Sequence, residues 1–229
     1  MSTTAEQNIP NQAGSTPASG RVPDSTSSIA PRPLRLLTTD ELAAQPSTLH
    51  QVVELITVAY RGNRIFGADS RFESDTELID ELSETGIGAA LFESQHAGTE
   101  RAVAAAFAKP YTIQGAQDWE RRDMESETGG SENIEPQFPV YELFGVASIN
   151  QPHCRKQGLA QQCQDALAAA LKERLGVDSV RFVLRVVEEL NGAYWRRRGF
   201  KQVGEGSMRP KGQWNSDQDF LLIMMGKLV

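Results

Sequence analysis

Leu34 to Leu37 is a short apolar run, and Leu49, Val52, Val53, Ile56 and Tyr60 then recur at helical spacing, which predicts a strand followed by a helix. Ser74 followed by Glu77 reads as a capping box ahead of Leu78, Ile79 and Leu82, with Gly86 placed to end that second helix. Two apolar runs, Ala89 to Phe92 and Val103 to Ala108, flank a polar turn around His96 to Thr99 and predict a hairpin. Val140 to Ile149 reads as a buried strand whose Gly145, placed where a side chain would normally pack, predicts a bulge and a bend. From about Gln157 to Leu175, the residues Leu159, Cys163, Ala166, Leu167, Ala170 and Leu171 share one face of a helix that Gly176 stops. Val180 to Val187 alternates Phe182 and Leu184 with Arg181 and Arg185, while Phe220 to Met225 is apolar throughout, as in a covered strand. The elements together predict an α/β domain, a mixed sheet with helices on its faces.

The pattern fails in two places. Residues 1–33 are Ser, Thr, Pro, Ala and Gly with scattered polar groups, a composition that cannot bury enough apolar surface to offset its ordering entropy, so a disordered tail is expected ahead of a domain over 34–229. From Thr112 to Gln137 the chain carries Asp118, Glu120, Asp123, Glu125, Glu127, Glu132 and Glu135 around Gly129-Gly130, which reads as a flexible acidic insertion between strands. The 229 residues, 39% of them hydrophobic, suffice for one domain with a sizeable core. No stretch approaches the roughly 20 apolar residues of a membrane helix, and the N-terminus lacks the apolar core of a secretory signal. Arg21 and Arg32 alone make a poor mitochondrial presequence, so a cytoplasmic protein, monomer or homodimer, is expected.

With 30 acidic against 23 basic residues the net charge of −7 argues against a nucleic-acid partner and suits a cationic one, and the acidic insertion reads as a solvated loop or as a means of raising the local concentration of a cationic acceptor. Cys154 and Cys163 are too few for a disulfide framework and form no zinc spacing with His50, His96 and His153, so no metal is expected.

The informative junction is the loop Asn150 to Cys154 leading into Arg155-Lys156-Gln157-Gly158-Leu159-Ala160 at the start of the clearest helix. A helix N-terminus exposes unpaired amides and partial positive charge, and small residues let a pyrophosphate come close to the backbone. Gly158 and Ala160 fit such an anion cradle, with Arg155 and Lys156 adding charge. The same string also reads as a helix capped by a flexible glycine turn.

RKQGLA satisfies the acetyl-CoA signature of the GNAT acetyltransferases (Arg or Gln, two residues, Gly, one residue, Gly or Ala), and the sequence resembles that family. Glu189 to Phe200 also looks like the family's Asn-containing turn, short helix and closing Gly-Phe. The resemblance covers about 34–229 and is specific from Tyr141 to Phe200. It implies a GNAT fold of about six to seven strands with helices on both faces and a splayed fourth and fifth strand. It also implies transfer of an acetyl group from acetyl-CoA, as co-substrate, to a primary amine of a small molecule or peptide by direct attack in a ternary complex.

On the same resemblance, backbone amides from Val146, Ala147, Ser148 and Ile149 face the thioester, where a preorganised donor to the developing oxyanion is worth about 3 kcal/mol. Arg155, Lys156, Gln157, Gly158, Leu159 and Ala160 hold the pyrophosphate, and Asn191 and Trp195 lie along the cofactor arm. An amine of pKa ~10 must lose a proton before attacking, and Glu142 is the candidate general base, its other reading being a solvated or ion-paired carboxylate at the strand's start. The family's Tyr that protonates the departing thiolate is replaced by Trp195, with Tyr194 one place earlier as candidate acid. Cys154 beside His153 is a nucleophile in principle or a structural thiol, the second reading favoured, and Arg196, Arg197 and Arg198 reach for phosphates or form a solvated face. Acceptor choice falls to the helical segment around Tyr60 to Phe72 and the loop from Gly204 to Gln218, with Arg64, Phe66, Arg71, Phe72 and Trp214 as candidate pocket residues or packing. The competing reading is an acyl-CoA-binding module without turnover, motivated by Trp195. A nucleotide enzyme is disfavoured, since no GxxxxGK[ST] loop is present.

Overall fold

The computed structural model describes residues 32–61, 65–66, 71–95, 98–111 and 138–229. The expected tail, save Arg32 and Pro33, and the expected acidic insertion fall outside them, as do His96 and Arg64.

Seven strands form one sheet: β1 (Leu34–Leu37), β2 (Ile87–Ser94), β3 (Glu100–Pro110), β4 (Val140–Ser148), β5 (Arg181–Val187), β6 (Lys201–Arg209) and β7 (Phe220–Leu228). Their spatial order is β1-β2-β3-β4-β5-β7-β6. All neighbours are antiparallel except β4 and β5, which run parallel. Helix α1 (Thr39–Ala44), α2 (Pro46–Tyr60) and α3 (Asp75–Leu82) precede β2, α4 (Leu159–Leu175) joins β4 to β5, and a π-helical turn, Glu188–Gly192, leads into the short α5 (Ala193–Arg197). Helix α2 lies against β3 and β4, and α4 against β2 and β3. Strand β3 is therefore covered on both sides, which explains why Ala102 to Ala108 is buried without alternation and why its small side chains let the helices approach. Among the described residues no helix is long and apolar enough to cross a membrane.

Four expectations need correction. Helix α2 ends at Tyr60, and the described residues of the expected helical segment beyond it, Arg61, Ile65, Phe66, Arg71 and Phe72, are not helical. At α3, Ser74 is the N-cap but makes no side-chain cap: its hydroxyl pairs with the Thr76 hydroxyl at 2.9 Å, and Glu77 accepts from the Glu73 amide instead. Ser83, at φ 62°, and not Gly86, ends that helix. The segment from Gly204 to Gln218 is not all loop, since Gly204 to Arg209 belong to β6, an edge strand that pairs with β7 across a register shift. Helix α1 was not predicted: its capping box, Thr38 with Glu41, is complete, but Leu42 is its only buried side chain and supplies no period.

Candidate functional site

β4 and β5 pair only over Val140–Arg181, Tyr141–Phe182 and Glu142–Val183, after which the two strands continue unpaired. The cause of the parting lies in β4. Ala105 faces Ala147 while Phe107 faces Phe144, so two steps along β3 match three along β4, a bulge. Gly145 inside it has φ +57°, which favours glycine, and a Cβ there would meet Phe107 at 3.1 Å and Ile56 at 3.2 Å, so both side chains would have to give by a few tenths of an ångström. Beyond the bulge the Ile149 amide donates to the Val103 carbonyl at 2.9 Å and is committed to the sheet. By alternation along the strand the neighbouring Ser148 amide turns from β3 toward the opened side. The amides expected to face the gap thus narrow to ones other than that of Ile149.

The gap runs into the loop Asn150–Gly158 and the start of α4. Gly158 is the N-cap in the left-handed region (φ 67°, ψ 25°), offers no side-chain cap, and faces open space, since an added Cβ would meet nothing within 4 Å. The first amides of α4 are thus left without a side-chain acceptor at the positive end of a 17-residue helix. Arg155 and Lys156 are exposed at this mouth, and Arg155 is oriented by its Nε hydrogen bond to Asn150 Oδ1 at 2.8 Å. Leu159 and Ala160 have buried side chains, leaving their amides as what they can offer.

Glu142 is buried on the α2 and α3 side of the sheet, since its neighbour Tyr141 reaches Arg174 of α4 on the other. Arg185 donates to its carboxylate in a tight ion pair and Lys109 Nζ stands 3.6 Å away. Lys109 in turn approaches Glu81 at 3.5 Å, and Glu81 takes both oxygens to Arg71. The Glu142–Arg185 pair follows from register: Val183 is opposite Glu142, and Arg185 lies two residues on along the same face.

Trp195 is a core residue, 6% exposed, edge-on to Tyr194 at 5.1 Å and to Phe200 at 5.0 Å. Tyr194 is half-buried with Arg198 over its ring, Asn191 is exposed, and Arg196 is held in a two-pronged pair by Glu188. Of the candidate pocket residues, Phe66 and Trp214 come together at 6.4 Å over Phe220, whereas Phe72 is buried in the main core with Arg71 over its ring.

Sequence reasoning missed a cluster at the end of β2. Glu93, His153 and Cys154 place ligand-type atoms within 4.8 Å of one another, but the cation they hold is a guanidinium: Arg32 Nη2 lies 2.9 Å from Glu93 and 3.7 Å from Cys154 Sγ. Burial raises the pKa of the Cys154 thiol, with Arg32 opposing, and pushes Cys163 up to about 12, so neither is an activated nucleophile. Burial works against the charge on Glu93, but hydrogen bonds from His153 and Arg32 outweigh it and lower its pKa.

No family model matches this sequence, and no curated protein matches it. Solved structures do match. NAA60 of Arabidopsis thaliana, crystallised with acetyl-CoA, is 12% identical with a TM-score of 0.56 over 87% of this chain and 99% of that one. A Drosophila melanogaster polyamine N-acetyltransferase is 12% identical with a TM-score of 0.53 over 87% and 100%. FeeM, an N-acyl amino acid synthase from uncultured soil microbes, is 10% identical with a TM-score of 0.53 over 85% and 93%. At identities this low the structural similarity shows the fold alone, and the fold of this chain is the GNAT fold.

Proposed function

We propose that this chain is a GNAT-family acyltransferase that moves an acetyl group from acetyl-CoA to a primary amine of a small molecule or peptide. The observation that carries the reading is continuity: β4 leaves β5 at Glu142 and leads through the loop Asn150–Gly158 to a helix start with no side-chain cap and an open face at Gly158. A flexible glycine turn alone needs no strand gap leading into it. The pantetheine arm lies in the gap, the pyrophosphate takes the first amides of α4 with Arg155 and Lys156 beside them, and Asn191 borders the arm.

In this mechanism the amine nitrogen attacks the thioester carbonyl carbon, and the oxygen that gains the electron pair accepts from the Ser148 amide. The proton leaving the amine passes to Glu142, where the ammonium competes with Lys109, the more distant of its two cations. Collapse breaks the C–S bond, the thiolate takes a proton from Tyr194, and the surplus proton on the new amide nitrogen passes to the tyrosinate. A thiol of pKa ~8.5 is a tolerable leaving group even without that donor. Binding without turnover is the second reading, favoured by Trp195, whose indole is enclosed in the core where the family's acid would stand.

Thiol release from acetyl-CoA, followed over polyamines, aralkylamines and lysine peptides, tests the proposal. Amine-dependent release establishes the transferase and its acceptor class; saturable acetyl-CoA binding with no release from any amine selects the second reading.

A further inference from the structure

The loop between β4 and α4 has no regular structure of its own, yet it must hold its shape for the helix start to meet a phosphate. Its backbone closes one turn, the Cys154 and Arg155 amides donating to the Gln151 carbonyl at 2.9 and 3.1 Å, and Arg155 ties to Asn150; further ties come from far away in the chain. Arg32, just before β1, has a side chain only 8% exposed. Its Nε and Nη2 donate to Glu93 Oε1 at 3.3 and 2.9 Å, its Nη1 donates to Gln157 Oε1, and Nη2 also faces Cys154 Sγ. Gln157 passes the tie on by donating to the His153 carbonyl at 2.6 Å, and His153 Nε2 meets the other oxygen of Glu93 at 3.1 Å. Three loop residues are therefore gathered on one guanidinium–carboxylate pair at the end of β2, and Gln157 directly precedes Gly158.

We propose that Arg32 is a positioning residue for acetyl-CoA, setting the phosphate-binding loop through Gln157. The inference rests on the cradle reading above. The Arg32 side chain is enclosed and its charge is offset by Glu93, so the proposed effect is geometric. A planar fork that reaches a carboxylate, an amide oxygen and a thiol at once is a task for arginine; a lysine ammonium keeps the charge but not the fixed geometry.

The test is a double-mutant cycle on the full chain, titrating acetyl-CoA by calorimetry. Arg32→Ala should weaken binding about tenfold, Gln157→Ala should do about the same, and the double variant should be no worse than either alone. Arg32→Lys should recover only part of the loss. With an acceptor in hand, KM for acetyl-CoA should rise while kcat and the acceptor KM stay within about twofold. Arg35→Ala, which breaks the Arg35–Glu100 pair of the same sheet edge without reaching the loop, should leave binding unchanged. Wild-type affinity in Arg32→Ala, additive losses in the double variant, or full rescue by lysine would each overturn the inference while leaving the cradle standing. Wild-type protein that binds no acetyl-CoA overturns the cradle itself and this inference with it.

Discussion

Gly158 and Gly176 stand at the two ends of α4 in nearly the same left-handed conformation, φ 67° and ψ 25° against φ 66° and ψ 35°. A Cβ at either meets nothing within 4 Å. Alanine at either position therefore carries the same backbone cost, about 1 kcal/mol, and no clash within the chain. In a domain of this size each should lower the thermal midpoint by about 2–4 °C. On the proposed cradle the two differ in what would fill the open space, the pyrophosphate at 158 and solvent at 176. A phosphate pushed off one or two helix-start amides loses hydrogen bonds to a charged group worth about 1.5–3 kcal/mol. Gly158→Ala should therefore raise the acetyl-CoA Kd about 10- to 150-fold, and Gly176→Ala should leave it unchanged. Calorimetric titration beside a melting curve reads both quantities. Equal melting losses with wild-type affinity in both variants would refute the cradle.

Glu142→Gln should lower kcat by about 10²-fold or more near neutral pH at unchanged acetyl-CoA KM, and the deficit should shrink as pH approaches the acceptor's pKa, because a deprotonated amine needs no base; a pH-independent deficit contradicts the role. Tyr194→Phe should slow thiol release and shift the alkaline limb of the kcat profile while acetyl-CoA affinity holds, and an unchanged profile removes it as the acid. Glu93 has a folded pKa below its ordinary 4.5, so its stabilisation is complete above that value and is lost as pH falls through the folded one. Glu93→Gln should accordingly melt below wild type at pH 7, with the gap closing as the solution is acidified below about pH 4.5; a gap that persists there assigns the loss to something other than the charge.

The junction of β4 with α4 was legible because two local signals coincide there, an apolar run broken by Gly145 and a helical period opening after Gly158. Both glycines turned out to occupy positive-φ positions, which is information a sequence carries locally. β6 escaped because an edge strand with one solvated face, two positive-φ glycines and a register shift leaves no alternation to read. The ties on Glu142 depend on strand register, and those of Arg32 span separations of 61 to 125 residues, so neither is encoded in any local window. Trp195 was visible as a departure from the family motif, but only the packing of Tyr194 and Phe200 around it shows that the indole serves the core.

Residue-resolved amide hydrogen exchange with and without acetyl-CoA addresses the central claim most directly, because it locates the ligand on the chain. Slowed exchange should gather at Ser148 and at the first amides of α4 from Leu159 onward, with little change at Ile149, whose amide is already bonded to Val103. Unchanged exchange across 146–161 at saturating acetyl-CoA, or protection centred elsewhere on the sheet, would contradict the account.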